Sequence, residues 1–258
     1  MSLLTVVLSS LVAVTLLMTA TALLARRIGR VVVVDITWGL GFVVVALAAA
    51  LTGENGIRWW LLLMVGLWGG RLAWHVGRRV LATDQEDPRY AELLDGKPFS
   101  FAVKRVFVTQ GVALWVVSLP VQVAAGTDTA SWSGLTWIGL ALWAVGLAFE
   151  SIGDQQLAAY RAAPRGSRPQ VMDTGLWRYT RHPNYFGDAC VWWGVWLVGA
   201  GASSAVLATF FAPVVMTYFL IFATGAKLLE RTMMQRPGYP EYAARTSMFF
   251  PLPPKSTS

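Results

Sequence analysis

Long apolar runs, separated by short polar segments, make up most of the chain. Runs near 20 residues with almost no charge are typical of helices that cross a membrane. The pattern predicts seven such spans, at about residues 3–25, 31–51, 57–77, 101–124, 135–158, 185–198 and 205–229. The predicted fold is therefore all-α: a polytopic membrane protein with seven transmembrane helices.

The basic residues favour one orientation of these spans. The loops after the first, third and fifth spans, together with the C-terminal end, hold nearly every Lys and Arg outside the membrane, whereas the opposite side keeps only Arg58. Positively charged loops usually stay in the cytoplasm. We therefore expect the N-terminus outside and the C-terminus in the cytoplasm, in a bacterial inner membrane. The first span is interpreted as a retained helix, because no basic segment precedes it and no convincing cleavage site follows it.

Composition narrows the classes of function. The 258 residues are 55% hydrophobic and 14% charged, with a formal net charge of +7. The basic residues flank apolar spans, so they indicate membrane topology and not nucleic-acid binding. A single cysteine, Cys190, excludes an internal disulfide, and the two histidines show no metal-ligand spacing, so no metal site is predicted.

One polar segment stands out, residues 175–188, with the sequence GLWRYTRHPNYFGD. Proline is tolerated in the first turn of a helix, so Pro183 predicts a helix start. Asn184 and Asp188 would then lie one turn apart on one helix face. Helix N-termini and nearby arginines favour anions. This polar segment therefore predicts a ligand site at the edge of the membrane.

Polar residues, all but one of them ionisable, fall at a similar predicted depth, in or just beyond the cytoplasmic halves of their spans. The full set is Asp35, Arg71, His75, Arg78, Glu150, Asp154, Asn184, Asp188, Lys227 and Glu230. Charges within a bilayer are costly and usually line a cavity or pair with one another. We expect a pocket open to the cytoplasm, with arginines at its mouth for a phosphate-bearing cofactor and an apolar wall for a lipid-like substrate.

The polar segment and the tail, residues 236–251 with the sequence RPGYPEYAARTSMFFP, resemble the steroid 5-alpha-reductase family. The likeness is greatest to its bacterial members, and the sterol C14 and C24(28) reductases are more distant. The resemblance implies NADPH-dependent reduction of a carbon–carbon double bond conjugated to a ketone. The substrate would be a 3-oxo-Δ4-steroid or another lipophilic enone that enters from the bilayer.

The resemblance also implies an organisation and a set of site residues. We expect a single domain over residues 1–258, with substrate-side helices in 1–100 and cofactor-side helices and tail in 101–258. A monomer surrounded by membrane lipid is expected, without nucleic acid or metal as partner. The predicted NADPH-binding residues are Arg71, Arg78, Asp154, Arg161, Arg178, Tyr179, Arg181, His182, Asn184 and Asp188.

The predicted catalytic residues are Asp35 and His75. The steroid enzymes use a glutamate on the second span and a tyrosine on the third, and Asp35 is the best match for the glutamate. The third span has no tyrosine, so His75 is the substitute by position. Such groups would hydrogen-bond to the ketone oxygen as negative charge develops on it.

Two other functions stay open on the sequence. S-adenosylmethionine-dependent methyltransferases of the isoprenylcysteine or phospholipid type use a similar Arg-His-Pro-x-Tyr turn. They usually carry paired glutamates on the last helix, where this chain has Leu229-Glu230-Arg231. A non-catalytic sterol-binding membrane module would keep the apolar pocket and lose the cofactor contacts.

Single residues also have structural interpretations. Asp35 can be a topological anchor beside Arg30, and His75 can cap or snorkel at its helix end. Arg71 can pair with an acid of the fifth span. Glu230 can pair with the basic residues of its own helical turn.

Overall fold

The structure is a computed structural model that describes residues 2–127, 132–164, 166–223 and 225–255. The regular structure of these residues is helical, with loops between the helices, and they contain no β-strand, only an isolated bridge between Thr180 and Ser247. This confirms the predicted all-α class. The helices are α1 (Leu3–Ile28), α2 (Val33–Thr52), α3 (Ile57–Leu81), α4 (Pro88–Leu94), α5 (Phe99–Ala102), α6 (Thr109–Val117), α7 (Leu119–Gly126), α8 (Gly134–Ala162), α9 (Pro183–Ala202), α10 (Phe211–Tyr218), α11 (Ala226–Met233) and α12 (Tyr239–Arg245).

Two predicted spans are not single α-helices. Between α5 and α6 the chain makes a π-helical turn, Val103–Val108, and Ser118 separates α6 from α7. Pro120 stands in the first turn of α7, and because proline has no N–H to donate, a helix ends readily just before it. The predicted span at 205–229 is likewise divided into a 3₁₀ turn, α10, a π-helical turn and α11.

Five helical segments in the described part of the chain are long and apolar enough to cross a membrane: Leu3–Ile28, Val33–Thr52, Phe99–Val117, Gly134–Ala162 and Ser204–Met233. Two more predicted spans coincide with α3, of 25 residues, and α9, of 20 residues, which are less apolar. Arginines in α3, and the glycines and tryptophans of α9, lower their mean hydropathy although glycine and tryptophan are common in membrane helices. The protein is therefore a multi-pass membrane protein, and the seven-span layout stays a prediction.

The chain divides into two compact units. The first unit is Met1–Thr136 with Val195–Ala212, and the second unit is Trp137–Gly194 with Pro213–Ser258. Each has its own buried core, centred on Phe42 and Trp68 in the first unit and on Trp192 and Met216 in the second. The predicted single domain and the common cofactor pocket, which draws on residues of both units, stay predictions.

In the first unit, small residues let α1, α2 and α3 approach closely. A Cβ added to Gly39 of α2 would lie 2.6 Å from the carbonyl oxygen of Gly69 on α3. The hydroxyl groups of Thr21 on α1 and Thr37 on α2 are 3.1 Å apart and buried. Close backbone contact and interhelical hydrogen bonds stabilise helix pairs where apolar burial adds little, as in a membrane.

In the second unit, α8 and α9 touch along a stripe of glycines. Gly139, Gly146 and Gly153 recur every seven residues on α8 and face Gly187 and Gly194 on α9. A Cβ on Gly146 would lie 2.5 Å from the Gly187 carbonyl oxygen, and a Cβ on Gly194 would lie 2.7 Å from that of Gly139. Any larger residue would push the two helices apart, so this stripe sets the distance between the polar side chains beside it.

Candidate functional site

Arg181 lies at the centre of a polar cluster in the second unit. Its Nε and Nη2 donate to Oε1 and Oε2 of Glu230 at 2.6 and 2.8 Å, a bidentate pair. Its Nη1 donates to the carbonyl oxygens of Ala243 and Thr246 at 2.8 and 2.6 Å. The Arg181 side chain is only 10% exposed. Arg181 therefore joins the start of α9 to α11 and to the tail.

Glu230 collects further contacts from the same cluster. His182 Nε2 lies 3.2 Å from Glu230 Oε1, and the imidazole ring stacks on Tyr185 with centroids 5.4 Å apart. Tyr239 donates its hydroxyl proton to Glu230 Oε1 at 3.4 Å. Glu230 thus pairs with residues far away in the sequence, and not with the basic residues of its own turn.

The tail packs directly on the polar segment. The Tyr242 hydroxyl donates to the Trp177 carbonyl oxygen, and the Thr180 hydroxyl donates to the Phe249 carbonyl oxygen at 2.9 Å. Burial raises the pKa of Tyr242, so its hydroxyl stays a donor across the physiological range. The two motifs that carry the family resemblance therefore hold each other in place, and part of their polar character serves the fold.

Helix α9 begins at Pro183, as the sequence predicted. Its first residues lie against α8. A Cβ on Gly153 of α8 would lie 3.3 Å from the Asn184 backbone nitrogen, so the start of α9 is in close contact with this part of α8. Glu150, Asp154 and Asp188 are all buried, with exposed fractions of 3%, 6% and 7%. The role of Asp154, Asn184 and Asp188 as cofactor ligands stays a prediction. Among the described residues, no group of three His, Cys, Asp or Glu side chains is arranged to hold a metal ion.

Asn184 has one buried amide atom that suits a ligand. Its Oδ1 accepts no hydrogen bond from any residue that the structure describes. A buried acceptor without a donor costs about 1–3 kcal/mol. A hydroxyl or amide of a bound nucleotide would supply the missing donor, so the residues at this helix start fit such a group.

The outer residues of the predicted cofactor set lie at the surface. Arg161, near the end of α8, is exposed, as are Arg178 and Tyr179 at the end of the 3₁₀ turn Gly175–Arg178. The Arg161 carbonyl oxygen accepts a hydrogen bond from Arg168 Nη1 at 3.3 Å. Exposed guanidinium groups near a helix N-terminus are suited to phosphate.

A second polar network lies in the first unit, around Asp35 in the first turn of α2. The Tyr90 hydroxyl donates to Asp35 Oδ1 at 2.6 Å, and Arg89 Nη2 donates to Asp35 Oδ2 at 2.8 Å. Gln110 Nε2 donates to the Tyr90 hydroxyl oxygen at 3.2 Å. Tyr90 is 8% exposed. The short helix α4, which follows the third span, thus places a tyrosine against Asp35.

The short helix α4 forms because of the residues directly before Tyr90. Asp87 accepts a hydrogen bond from the Arg89 backbone N–H at 2.9 Å and so caps the helix, while Pro88 occupies its first turn. The Arg89 side chain also bonds to Asp87, and this holds the pKa of the Asp87 carboxyl below its usual range. An Asp-Pro start followed by Arg and Tyr was the sequence signal for this element, and the sequence analysis missed it.

Electrostatics keep the Tyr90 hydroxyl protonated. Burial raises the pKa of Tyr90 far above its ordinary value, and the negative charge of Asp35 raises it further. The hydrogen bond to Asp87 raises the pKa of Arg89, and the negative charges of Asp35 and Asp87 raise it further. The network therefore presents a neutral phenol next to a carboxylate.

The predicted partners of Asp35 are not its partners in the structure. Its hydrogen bonds go to Tyr90 and Arg89 and do not include His75. Arg30, the alternative anchor, donates its Nη2 to the Val80 carbonyl oxygen at 2.8 Å instead. Asp35 therefore pairs with Tyr90 and Arg89, and the catalytic role predicted for Asp35 and His75 stays a prediction.

The remaining predicted residues of this unit lie on α3. Arg71 and His75 are half-buried and Arg78 is exposed, at the spacing of one helix face. Their assignment to cofactor and catalysis stays a prediction.

Comparison with known proteins agrees with this picture at the level of family. Residues 21–246 match the model of a family described as a protein of unknown function, DUF1295. The chain belongs to this family. The family is steroid 5-alpha-reductase-like, in accord with the resemblance of the polar segment and tail. The matched range includes both the Asp35 network and the Arg181 cluster.

One curated protein is a distant relative of this chain. An uncharacterised protein of Schizosaccharomyces pombe is 26% identical over 213 aligned residues, which cover 72% of this chain. The chain spans about 60% of the length of that relative. No solved structure matches the chain.

Proposed function

We propose that this protein is a membrane enzyme that reduces a carbon–carbon double bond conjugated to a ketone, with NADPH as reductant. The substrate would be a steroid-like or other lipophilic enone. The observation that carries the proposal is the buried Asp35–Tyr90 pair, a neutral phenol whose hydroxyl lies 2.6 Å from a carboxylate. Membership of a steroid 5-alpha-reductase-like family supports the same reaction class.

Proton donation falls to Tyr90. During enone reduction, negative charge develops on the carbonyl oxygen, and a hydrogen-bond donor aimed at that oxygen lowers the barrier. The Tyr90 proton is held by Asp35 Oδ1, and the substrate oxygen would replace that acceptor. Gln110 donates to the Tyr90 oxygen, so it would stabilise negative charge there as the proton leaves. Asp35 and Arg89 keep the phenol in position.

The second unit would hold the cofactor. Asn184 Oδ1 offers a buried acceptor, and the buried carboxyl groups of Asp154 and Asp188 would complete the polar part of the site. Arg161, exposed in the last turn of α8, and Arg178, exposed shortly before α9, would bind the phosphates. The chain has no Gly-x-Gly-x-x-Gly sequence, so a Rossmann phosphate loop is not used. NADPH supplies the hydride when bound.

Arg181 and His182 have a different role in this proposal. The Nε, Nη1 and Nη2 atoms of Arg181 each donate to an acceptor of the chain, and His182 lies against Glu230. We therefore assign both residues to positioning the start of α9, and not to binding phosphate directly.

A binding and turnover assay tests the proposal. The purified full chain in detergent is heated with NADPH or with S-adenosylmethionine, and NADPH oxidation is then followed against 3-oxo-Δ4-steroids and non-steroidal enones. We expect NADPH to raise the melting temperature and at least one enone to be converted to a product with two more hydrogens. An Asp35→Leu variant serves as the inactive control. Stabilisation by S-adenosylmethionine alone would overturn the proposal in favour of a methyltransferase.

The orientation is proposed with the N-terminus outside and the C-terminus in the cytoplasm of a bacterial host. The loop residues Asp128 and Arg165, which this topology assigns to opposite sides, lie outside the described residues. Glu54 and Ser167 are exposed loop positions on the same two sides, and native Cys190 is buried. An impermeant thiol reagent added to intact cells should label Glu54→Cys and leave Ser167→Cys unlabelled. The reverse pattern would invert the topology.

A further inference from the structure

A long apolar groove runs along the first unit between α1 and the segment that comprises α5, the π-helical turn and α6. Its volume is about 800 Å³, within the range of roughly 300–1,000 Å³ that is usual for ligand pockets. Val14 and Met18 line it from α1, and Phe107, Gly111 and Trp115 line it from the opposite side. The surface of the groove is almost entirely hydrocarbon, so its occupant must present an apolar chain or ring.

One end of the groove is basic. Arg26, in the last turn of α1, lines both this groove and an adjoining cavity of about 340 Å³, which Lys97 also lines. Glu86 is the acidic residue of the smaller cavity, and its carboxylate accepts the backbone N–H groups of Val31 and Val32. The negative charge of Glu86 is therefore engaged by the start of α2, and the mouth of the groove keeps a basic character.

We propose that this groove binds an anionic phospholipid, with an acyl chain along α1 and the phosphate at Arg26 and Lys97. A neutral lipid would fill the apolar part but leave the basic end without a counter-charge. Basic side chains at the cytoplasmic end of membrane helices attract anionic headgroups, by about fivefold in affinity for each charge. The site requires neither a cofactor nor a reducible double bond, so it stands apart from the proposed reductase activity.

Native mass spectrometry of the purified full chain in mild detergent tests the headgroup. The protein is mixed with dioleoyl phosphatidylglycerol or dioleoyl phosphatidylcholine, and retained lipid is counted. We expect the wild type to retain phosphatidylglycerol in preference, and Arg26→Gln to lose about fivefold of that retention. Arg27→Gln is the matched control, because Arg27 is the exposed neighbour on α1 and does not line the groove. Equal retention of the two lipids by the wild type, or an equal loss in Arg27→Gln, would overturn the proposal.

A second pair of variants tests the acyl chain. Val112 lines the groove and is 58% exposed, whereas Leu16 of α1 is 65% exposed and lies outside the groove lining. Because both positions are more than half exposed, each can accept a large side chain, and neither substitution should disturb folding. Val112→Trp should reduce retention of phosphatidylglycerol, and Leu16→Trp should not. Unchanged retention in Val112→Trp, or displacement of the lipid by a steroid enone, would reassign the groove, and neither outcome bears on NADPH oxidation.

Discussion

The polar network of the second unit differs from that of the first in how fully its charged groups are buried and hydrogen-bonded. The Arg181 guanidinium donates to both carboxylate oxygens of Glu230 and to two backbone carbonyl oxygens. Both side chains of this ion pair are nearly buried, at 10% and 13% exposure. Around Asp35, Arg89 is 47% exposed and the Tyr90 hydroxyl is held by a single carboxylate oxygen. The first arrangement stabilises the fold, whereas the second leaves an exposed guanidinium and a phenol that donates to one acceptor.

The physical reason lies in the cost of burying charge. A buried ion pair is stable only when further hydrogen bonds satisfy its polar atoms, and all three guanidinium nitrogens of Arg181 donate to acceptors of the chain. A phenol carries no charge and can stay buried with one acceptor, which a substrate oxygen can replace. Polar residues in the sequence therefore do not reveal whether they stabilise the fold or face a ligand, and only the geometry separates these two roles.

The largest effect should come from Tyr90→Phe. Loss of the proton donor should lower turnover by about a hundred- to ten-thousandfold, while NADPH affinity and the melting temperature change little. Steady-state NADPH oxidation and a thermal melt measure the two quantities. Tyr218→Phe, at an exposed position of the second unit, is the matched control. A well-folded Tyr90→Phe protein with wild-type turnover would remove the phenol from the mechanism.

Substitutions of Asp35 test the acceptor of the Asp35–Tyr90 pair. Asp35→Asn can still hold the phenol through its amide, so some rate should survive, whereas Asp35→Leu should abolish turnover. NADPH binding should persist in both variants, measured by thermal shift. If Asp35 were only an anchor, Asp35→Leu would instead melt earlier and the folded fraction would turn over normally.

The next effect concerns stability. Glu230→Leu leaves the Arg181 charge buried without its carboxylate, which should cost about 3–5 kcal/mol of unfolding free energy. Denaturant or thermal unfolding measures the loss, and Arg231→Leu, at an exposed neighbour on α11, is the control. The double variant Arg181→Met with Glu230→Leu should recover part of the loss, because no charge then remains buried. Equal melting of Glu230→Leu and its control would contradict the assigned role.

Asn184 should separate binding from stability within the second unit. Because no described residue donates to its Oδ1, Asn184→Ala should leave the melting temperature unchanged or raise it. NADPH affinity should fall by roughly ten- to a hundredfold, as measured by titration. Gln156→Ala is the converse control, since Gln156 Oε1 accepts the Leu176 N–H at 3.0 Å and its loss should reduce stability. An Asn184→Ala protein that melts early with normal affinity would reverse the assignment.

The smallest effect should come from the cap of α4. Asp87→Ala should cost about 1 kcal/mol, the usual value of a helix N-cap. The hydrogen bonds from Arg89 lower the folded-state pKa of Asp87, so its contribution is present above the ordinary carboxyl pKa, near about 3.9, and is lost on acidification. The difference in melting temperature between wild type and Asp87→Ala should therefore shrink as pH falls through that lowered pKa. Asp84→Ala, at an exposed acid, should show no such convergence.

Local signals in the sequence predicted much of the fold. Apolar runs predicted helices at the right places, and Pro183 predicted the start of α9. The burial of Asp154 and Asp188 within their helices agrees with the expectation that charges inside apolar spans face the protein interior. These predictions succeed because helix periodicity and proline geometry act over one or two turns.

Partners from distant parts of the chain were not predictable in this way. Tyr90 is 55 residues from Asp35, and Glu230 is 49 residues from Arg181. Neither separation follows from helix spacing. The sequence offered His75 by its position on the third span, and it offered Glu230 the basic residues of its own turn. Long-range polar pairs are selected by packing, which periodicity does not report.

By itself, then, the sequence determined the all-helical class, the membrane environment, the helix start at Pro183 and the residue types available for chemistry. These properties depend on hydropathy and on backbone rules that each segment obeys alone. Only the tertiary structure decided that Arg181 is engaged by Glu230 and the tail, and that α4 brings Tyr90 to Asp35. The reason is that a buried polar atom must find a partner wherever folding brings one within about 3 Å, and that distance is a property of the folded chain.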